Sequence, residues 1–134
     1  MNPFERIAIG DEGDATTVVT LDITVRERLS WMPAVYATPH MIYLMELAAS
    51  NAIEGRLPEG WVTVGVEVKV RHLAATPVGR TVVAKAKVAA LAPRLITFEV
   101  EAHDGVHLIG KGTHSRSPVE LKRFEAALAD ARQN

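Results

Sequence analysis

Residues 38–53 read TPHMIYLMELAASNAI. Thr38 is a residue type that caps helix starts, and Pro39 suits the first helical positions, where a missing N–H costs nothing. Met41 to Ile53 contains helix formers and neither Gly nor Pro, and Gly55 and Pro58 punctuate the end. Between His40 and Ile53 only Glu46 carries a charge. A helix that is apolar or small on nearly every side is expected to be buried. The rest of the chain therefore has to supply what covers it.

The flanking segments read as strands. Thr16 to Val25 (TTVVTLDITV) is rich in β-branched residues, with Val19, Leu21, Ile23 and Val25 at period two. Arg26 to Ala37 contains Pro33 and has no period, so it reads as an irregular loop with a short helical turn. After the helix, Trp61 to Arg71 alternates sharply. Val62, Val64, Val66, Val68 and Val70 share one face, and Thr63, Gly65, Glu67, Lys69 and Arg71 share the other. Thr81 to Leu91, Arg94 to Ala102 and Val106 to His114 are three further strands. Pro93 marks one turn and Asp104-Gly105 a tight hairpin. From Pro118 onward, Leu121, Phe124, Ala127 and Leu128 fall on one stripe of a C-terminal amphipathic helix. The order is strand, helix, four strands, helix. Hairpin connections make the sheet largely antiparallel. The expected architecture is α+β: one antiparallel sheet curved around a central buried helix, in one domain spanning residues 1–134. A sheet of this kind leaves an edge strand, which pairing with a second copy would cover.

Composition narrows the function classes. The chain has 134 residues, the size of one domain. Lys+Arg number 15 and Asp+Glu 16, so no global charge draws the protein to nucleic acid or an anionic membrane. No stretch is long and apolar enough to span a bilayer. The first residues lack the basic region and apolar core of a secretory signal, so a cytoplasmic protein is expected. Zero cysteines exclude disulfides, thiolate zinc sites, iron–sulfur clusters and a Cys nucleophile.

Glu46 is the most informative side chain. A carboxylate in an apolar helix costs free energy unless it is neutral, paired or hydrogen-bonded. It either meets a basic partner at a wet edge or subunit interface, or serves as a base or nucleophile. Thr38 has the position of an N-cap, at a helix start whose free N–H groups also suit an anion or a polarised carbonyl. Glu46 stands two helical turns further on, roughly 12 Å along the axis. His72 ends the most regular strand and continues its valine face toward the helix. His40, His103, His107 and His114 read as surface or turn residues. His103, Asp104 and His107 resemble metal ligands only weakly, and no metal is expected. Gly65 interrupts the valine strand, which marks either a bulge or a close approach by another backbone or a ligand. Arg71, Arg80, Arg94, Lys111 and Arg116 lie near strand ends, solvated or available to phosphates.

Taken together, these residues resemble a known family. Thr38, Glu46 eight residues on, Gly65, and His72 within RHLAATPVG look like the hot-dog-fold thioesterases of the fluoroacetyl-CoA thioesterase family. So do Ala102 to His114 (AHDGVHLIGKGTH) and Glu120 to Phe124 (ELKRF). The resemblance implies a hot-dog fold that dimerises edge to edge, and hydrolysis of an acyl-CoA thioester without metal or organic cofactor. It also implies catalytic roles for Thr38, Glu46 and His72, and a backbone contact from Gly65 to the thioester carbonyl. The family's lid shapes its pocket with phenylalanines. Here residues 28–37 contain none, and Leu29, Trp31, Met32 and Tyr36 are the lid or acyl-pocket candidates. A small or short acyl group is the expected substrate. Rival readings are an enoyl-CoA hydratase or dehydratase on the same fold, a non-catalytic acyl-CoA-binding regulatory module, and a structural dimer with Glu46 paired to Arg. The hydratase needs an Asp/His pair near the helix start, and no Asp lies between Asp22 and Asp104.

Overall fold

Five strands and two helices follow one another in the computed structural model, which describes residues 1–133. Strand β1 (Glu12–Val18) leads through two single-turn 3-10 segments (Leu21–Ile23 and Val25–Glu27) to helix α1 (Thr38–Ala52). Then come β2 (Trp61–His72), β3 (Thr81–Ala92), β4 (Leu95–His103), β5 (Leu108–Glu120) and helix α2 (Leu121–Gln133). The strands form one sheet in the order β1-β3-β4-β5-β2, and every neighbouring pair is antiparallel. Helix α1 touches all five strands.

The core lies between α1 and the face of the sheet turned toward it. Met41, Leu44, Met45, Ala48, Ala49 and Ala52 of the helix are buried. They meet Val82, Ala84, Ala86 and Val88 of β3 and Ile96, Phe98, Val100 and Ala102 of β4. The alanines on both sides let the helix approach closely. At Gly13 of β1 the approach is so close that a Cβ would overlap the Ala52 nitrogen and the Ala48 carbonyl oxygen. The outward face is polar, with opposite charges set across the strands: Asp14 opposes Lys85, and Lys85 opposes Glu101.

Several expectations need correction. The strand expected over Thr16 to Val25 ends at Val18. Beyond it, Thr and Asp side chains compete for the backbone: Thr24 bonds the Leu21 carbonyl at 2.7 Å, and Thr20 bonds Asp22. The helix is covered on one side only, for Tyr43 is 60% exposed and Leu47 38%. Strand β5 runs six residues past His114, because it pairs with β2 as far as Glu120 opposite Trp61. Pro118 sits in that extension, beyond Arg116, the last residue of β5 paired with β4. A strand with one neighbour tolerates a missing N–H. Helix α2 forms as expected, yet its stripe stays open, with Leu121 and Leu128 exposed.

The largest correction concerns β2. Its valines do not share one face. The register with β5 steps from Gly65 opposite Arg116 to Glu67 opposite Ser115, so Val66 is an extra residue in a bulge. A bulge reverses the alternation. Gly65 lies on the α1 side before it, and His72 lies on the α1 side after it. Seven residues apart, the two would otherwise point to opposite faces.

Candidate active site

The seam between α1 and β2 gathers the chemistry. The two elements run antiparallel, so the start of α1 meets the end of β2. There Thr38 Oγ1 lies 2.7 Å from His72 Nδ1. Thr38 is the first residue of the helix, not its cap. Ala37 occupies the N-cap position and makes no side-chain bond, which leaves the threonine hydroxyl for His72. His72 Nε2 is buried without a hydrogen-bond partner. Burial holds the imidazole below the usual histidine range. A buried ring nitrogen left unpaired is costly, so this atom points to where water, substrate or another chain completes the site.

Two helical turns along α1 stands a second group. A Cβ at Gly65 would lie 3.8 Å from Glu46 Oε1, 3.8 Å from an Arg116 nitrogen and 3.2 Å from His114 Cε1. The absent side chain thus leaves a space bounded by a carboxylate, a guanidinium and an imidazole. Arg116 is fixed there by three bonds: Nε to Thr63 Oγ1 at 2.8 Å, Nη2 to the Thr63 carbonyl at 2.8 Å, and Nη1 to His114 Nε2 at 3.2 Å. His114 Nδ1 lies 2.9 Å from the Glu67 carbonyl. A carbonyl and a guanidinium dictate the tautomer together, with hydrogen on Nδ1 and a lone pair on Nε2. Burial lowers the Arg116 pKa, and the charge of Glu46 opposes that shift.

His114 and Arg116 are the site residues that the sequence reading missed. His114 is no surface histidine: it is 1% exposed and stacks on Phe98. Arg116 is no strand-end cation, since β5 continues past it. The signal was present at period two. Gly110, Gly112, His114 and Arg116 alternate along one strand, and a Cβ at Gly110 would collide with Met41 of α1. Residues continuing that phase face the helix.

Other candidates have different duties. Asp104 is buried and clips the β4–β5 turn. Its carboxylate accepts the N–H groups of Val106 and His107, the Thr76 hydroxyl and an Arg80 nitrogen. Burial alone would raise its pKa, but these donors hold it far below the usual carboxylate range. His103 pairs with Glu101. Among the described residues, no three His, Asp or Glu side chains converge as metal ligands. In the loop before α1, Trp31 is 77% exposed, Leu29 is exposed and Met32 is half-buried. Tyr36 belongs to the core instead, its hydroxyl donating to the His40 carbonyl at 3.1 Å, and burial pushes its pKa up to about 12.

Comparison with known proteins bears on these two groups. The model of the fluoroacetyl-CoA-specific thioesterase family matches residues 19–122, a range that holds Thr38, Glu46, Gly65, His72, His114 and Arg116. The chain belongs to this family. The fluoroacetyl-CoA thioesterase of Streptantibioticus cattleyicolor is 42% identical over 94 residues, which cover 70% of this chain and 68% of that one. A solved structure of the fluoroacetyl-CoA thioesterase aligns with a TM-score of 0.87 at 35% identity, over 92% of this chain and 96% of that one. A Thermus thermophilus member of the thioesterase superfamily aligns with a TM-score of 0.90 at 33% identity, over 96% of each chain. The fold of this fluoroacetyl-CoA-specific thioesterase family member is thus the hot-dog fold, an antiparallel sheet curled about α1 with a C-terminal helix added.

Proposed function

We propose that the protein hydrolyses a short acyl-CoA ester to the free acid and CoA, using Thr38, His72, Glu46 and Gly65 without metal or organic cofactor. Family membership makes the chain an acyl-CoA thioesterase. The observation that carries the finer reading is the Thr38–His72 pair, with its buried and unpartnered Nε2. Thr38 accepts the Nδ1 hydrogen and orients the ring, which leaves a lone pair on Nε2. That nitrogen takes a proton from water as the water oxygen attacks the thioester carbonyl. The Gly65 N–H donates to the oxyanion, an interaction worth ~3 kcal/mol at comparable sites. The carbon–sulfur bond then breaks, and the proton on His72 passes to the departing thiolate. Glu46 holds the attacking water on its other side.

Within one chain the two groups stand roughly 12 Å apart along α1. A homodimer removes that distance. Strand β2 is an edge strand with Val62, Val66 and Val68 exposed, and α1 exposes Tyr43 and Leu47 beside it. Two copies of β2 paired antiparallel about a two-fold at Lys69 would lay His72 opposite the bulge at Gly65 and Val66 of the partner subunit. The site is then complete only in the dimer. A cytoplasmic setting, expected from the cysteine-free sequence, belongs to the same proposal. Among the described residues, no helix is long and apolar enough to cross a membrane.

The test is thiol release from a panel of acyl-CoA esters, fluoroacetyl-CoA included, by the protein and by its His72→Ala and Glu46→Gln variants. Each substitution should lower kcat/KM by at least ~100-fold, the scale of acid–base assistance. Variants that match the parent on every ester would refute the site assignment.

A further inference from the structure

His114 is buried, titratable and idle in the chemistry above. Its ring stacks on Phe98, with centroids 6.4 Å apart and planes 23° from parallel. Both ring nitrogens are engaged. Nδ1 lies 2.9 Å from the Glu67 carbonyl oxygen, and Nε2 lies 3.2 Å from Arg116 Nη1. The first contact falls where the β2–β5 register is interrupted, between Gly65 and Glu67, so a side chain ties down the strand where the ladder lets go. The second falls on the cation that borders the space over Gly65. One ring therefore joins the bulge of β2 to the guanidinium.

Arg116 faces Glu46 across that space. A Cβ at Gly65 would stand 3.8 Å from Nη1 of the one and 3.8 Å from Oε1 of the other. A guanidinium this near a carboxylate commonly closes on it with paired, charge-assisted hydrogen bonds. Among the described residues, no ion pair joins these two. The reason lies in the donors, since every guanidinium nitrogen is committed elsewhere. Thr63 holds Nε and Nη2 through its hydroxyl and its carbonyl. His114 holds Nη1, the nitrogen that borders the cleft.

We infer that His114 is a positioning residue for the hydrolysis: it keeps Arg116 Nη1 off Glu46, so that the carboxylate stays free for the attacking water and the guanidinium stays beside the oxyanion. The inference rests on the hydrolase reading above and adds a residue to that same site. A carboxylate next to a forming oxyanion repels it. A fixed cation bordering the same space offsets that repulsion without having to reorganise as the charge develops. If Arg116 closed on Glu46, the water would lose its holder and the oxyanion its cation. The ring does this only as the neutral tautomer with hydrogen on Nδ1, because an Nε2 that carried hydrogen would have no lone pair for Arg116.

The test separates the two ring nitrogens. An asparagine amide nitrogen takes the place of Nδ1, and a glutamine amide oxygen takes that of Nε2. His114→Asn thus keeps a donor for the Glu67 carbonyl and loses the acceptor for Arg116, and His114→Gln does the converse. Thiol release from the acyl-CoA panel is measured for the parent, both variants, Glu46→Gln, and Glu46→Gln combined with His114→Asn. His114→Asn should lower kcat by at least ~10-fold with KM within about threefold of the parent, the mark of an interaction that matters as charge develops. His114→Gln should keep kcat at least ~5-fold above that of His114→Asn. On the Glu46→Gln background, His114→Asn should cost less than about threefold more, since no carboxylate remains to capture Arg116. Equal losses for Asn and Gln, a loss confined to KM, or the same loss with and without Glu46 overturns the inference and leaves the hydrolase reading standing. A parent that releases thiol from none of the esters overturns both. Nitrogen NMR of the histidine-labelled parent adds a check that needs no variant to fold. His114 should carry hydrogen on Nδ1 and none on Nε2, and a proton on Nε2 overturns the inference.

Discussion

At the scale of the residue, His72 shows what a sequence reveals and what it hides. Its position at the end of a β-branched strand marked it as facing the helix, and it does. The partner of Thr38 was not legible, because the two are 34 residues apart and only the antiparallel seam joins them. Thr38 reads as a cap from its neighbours alone, while its hydroxyl is used on His72. The environment of His72 carries a pH prediction. Burial lowers its pKa, so the folded protein binds a proton at His72 less readily than the unfolded chain. The unfolded chain then takes up more protons as pH falls through about 6.5, and stability falls with it. Above that range His72 contributes no further change. The same shift keeps Nε2 free to act as a base below the ordinary histidine range. The acid limb of the kcat/KM profile should therefore lie below pH ~6.5. A limb at or above that value would mean that His72 is not the base whose titration limits the rate.

Elements were legible where local pattern and tertiary context agree. Helix α1 was readable from composition, and strands β3 and β4 from alternation bounded by Pro93 and Gly105. The failures arise where context overrides the pattern. Five alternating valines describe a flat strand, and a bulge at Val66 breaks them into two phases. Gly65 marked the spot where a bulge was one of two readings, but the residue types did not say that the strand would slip there by one residue, at Val66. Yet the bulge is what lets Gly65 and His72 serve one face. Gly13 was likewise silent in the sequence, since only the packed helix reveals why it is there. It gives the element-scale prediction. Gly13→Ala forces a methyl group onto the α1 backbone at Ala52 and Ala48, atoms that cannot rotate away. Moving strand or helix to make room should cost about 3 kcal/mol, read as a lowered denaturant midpoint at unchanged slope. A variant as stable as the parent would show that the β1–α1 contact is looser than this geometry.

At the scale of the molecule, the unsatisfied features of one chain gather along one side. The Nε2 of His72 is unpaired, β2 is an open edge, and Tyr43 and Leu47 stand exposed on the helix next to it. A monomer with this many apolar groups beside a free sheet edge is an unfavourable object. A two-fold partner, as proposed above, would cover them together, and the symmetry makes a sharp prediction. If His72 of one chain works with Glu46 of the other, each dimer has two sites, and each site draws one residue from each chain. His72→Ala and Glu46→Gln homodimers are then both inactive. In a mixed dimer the Glu46→Gln chain supplies an intact His72 and the His72→Ala chain supplies an intact Glu46. One site is whole, and the other carries both lesions. Random reassortment of equal amounts makes half the dimers mixed, so activity should return to about a quarter of the parent level. If both residues of a site come from the same chain, every site in every mixed dimer lacks one of them. Co-refolding the two variants and measuring thiol release should therefore give about a quarter of parental activity for a shared site, and only the residual rates of the two variants for a site contained in one chain.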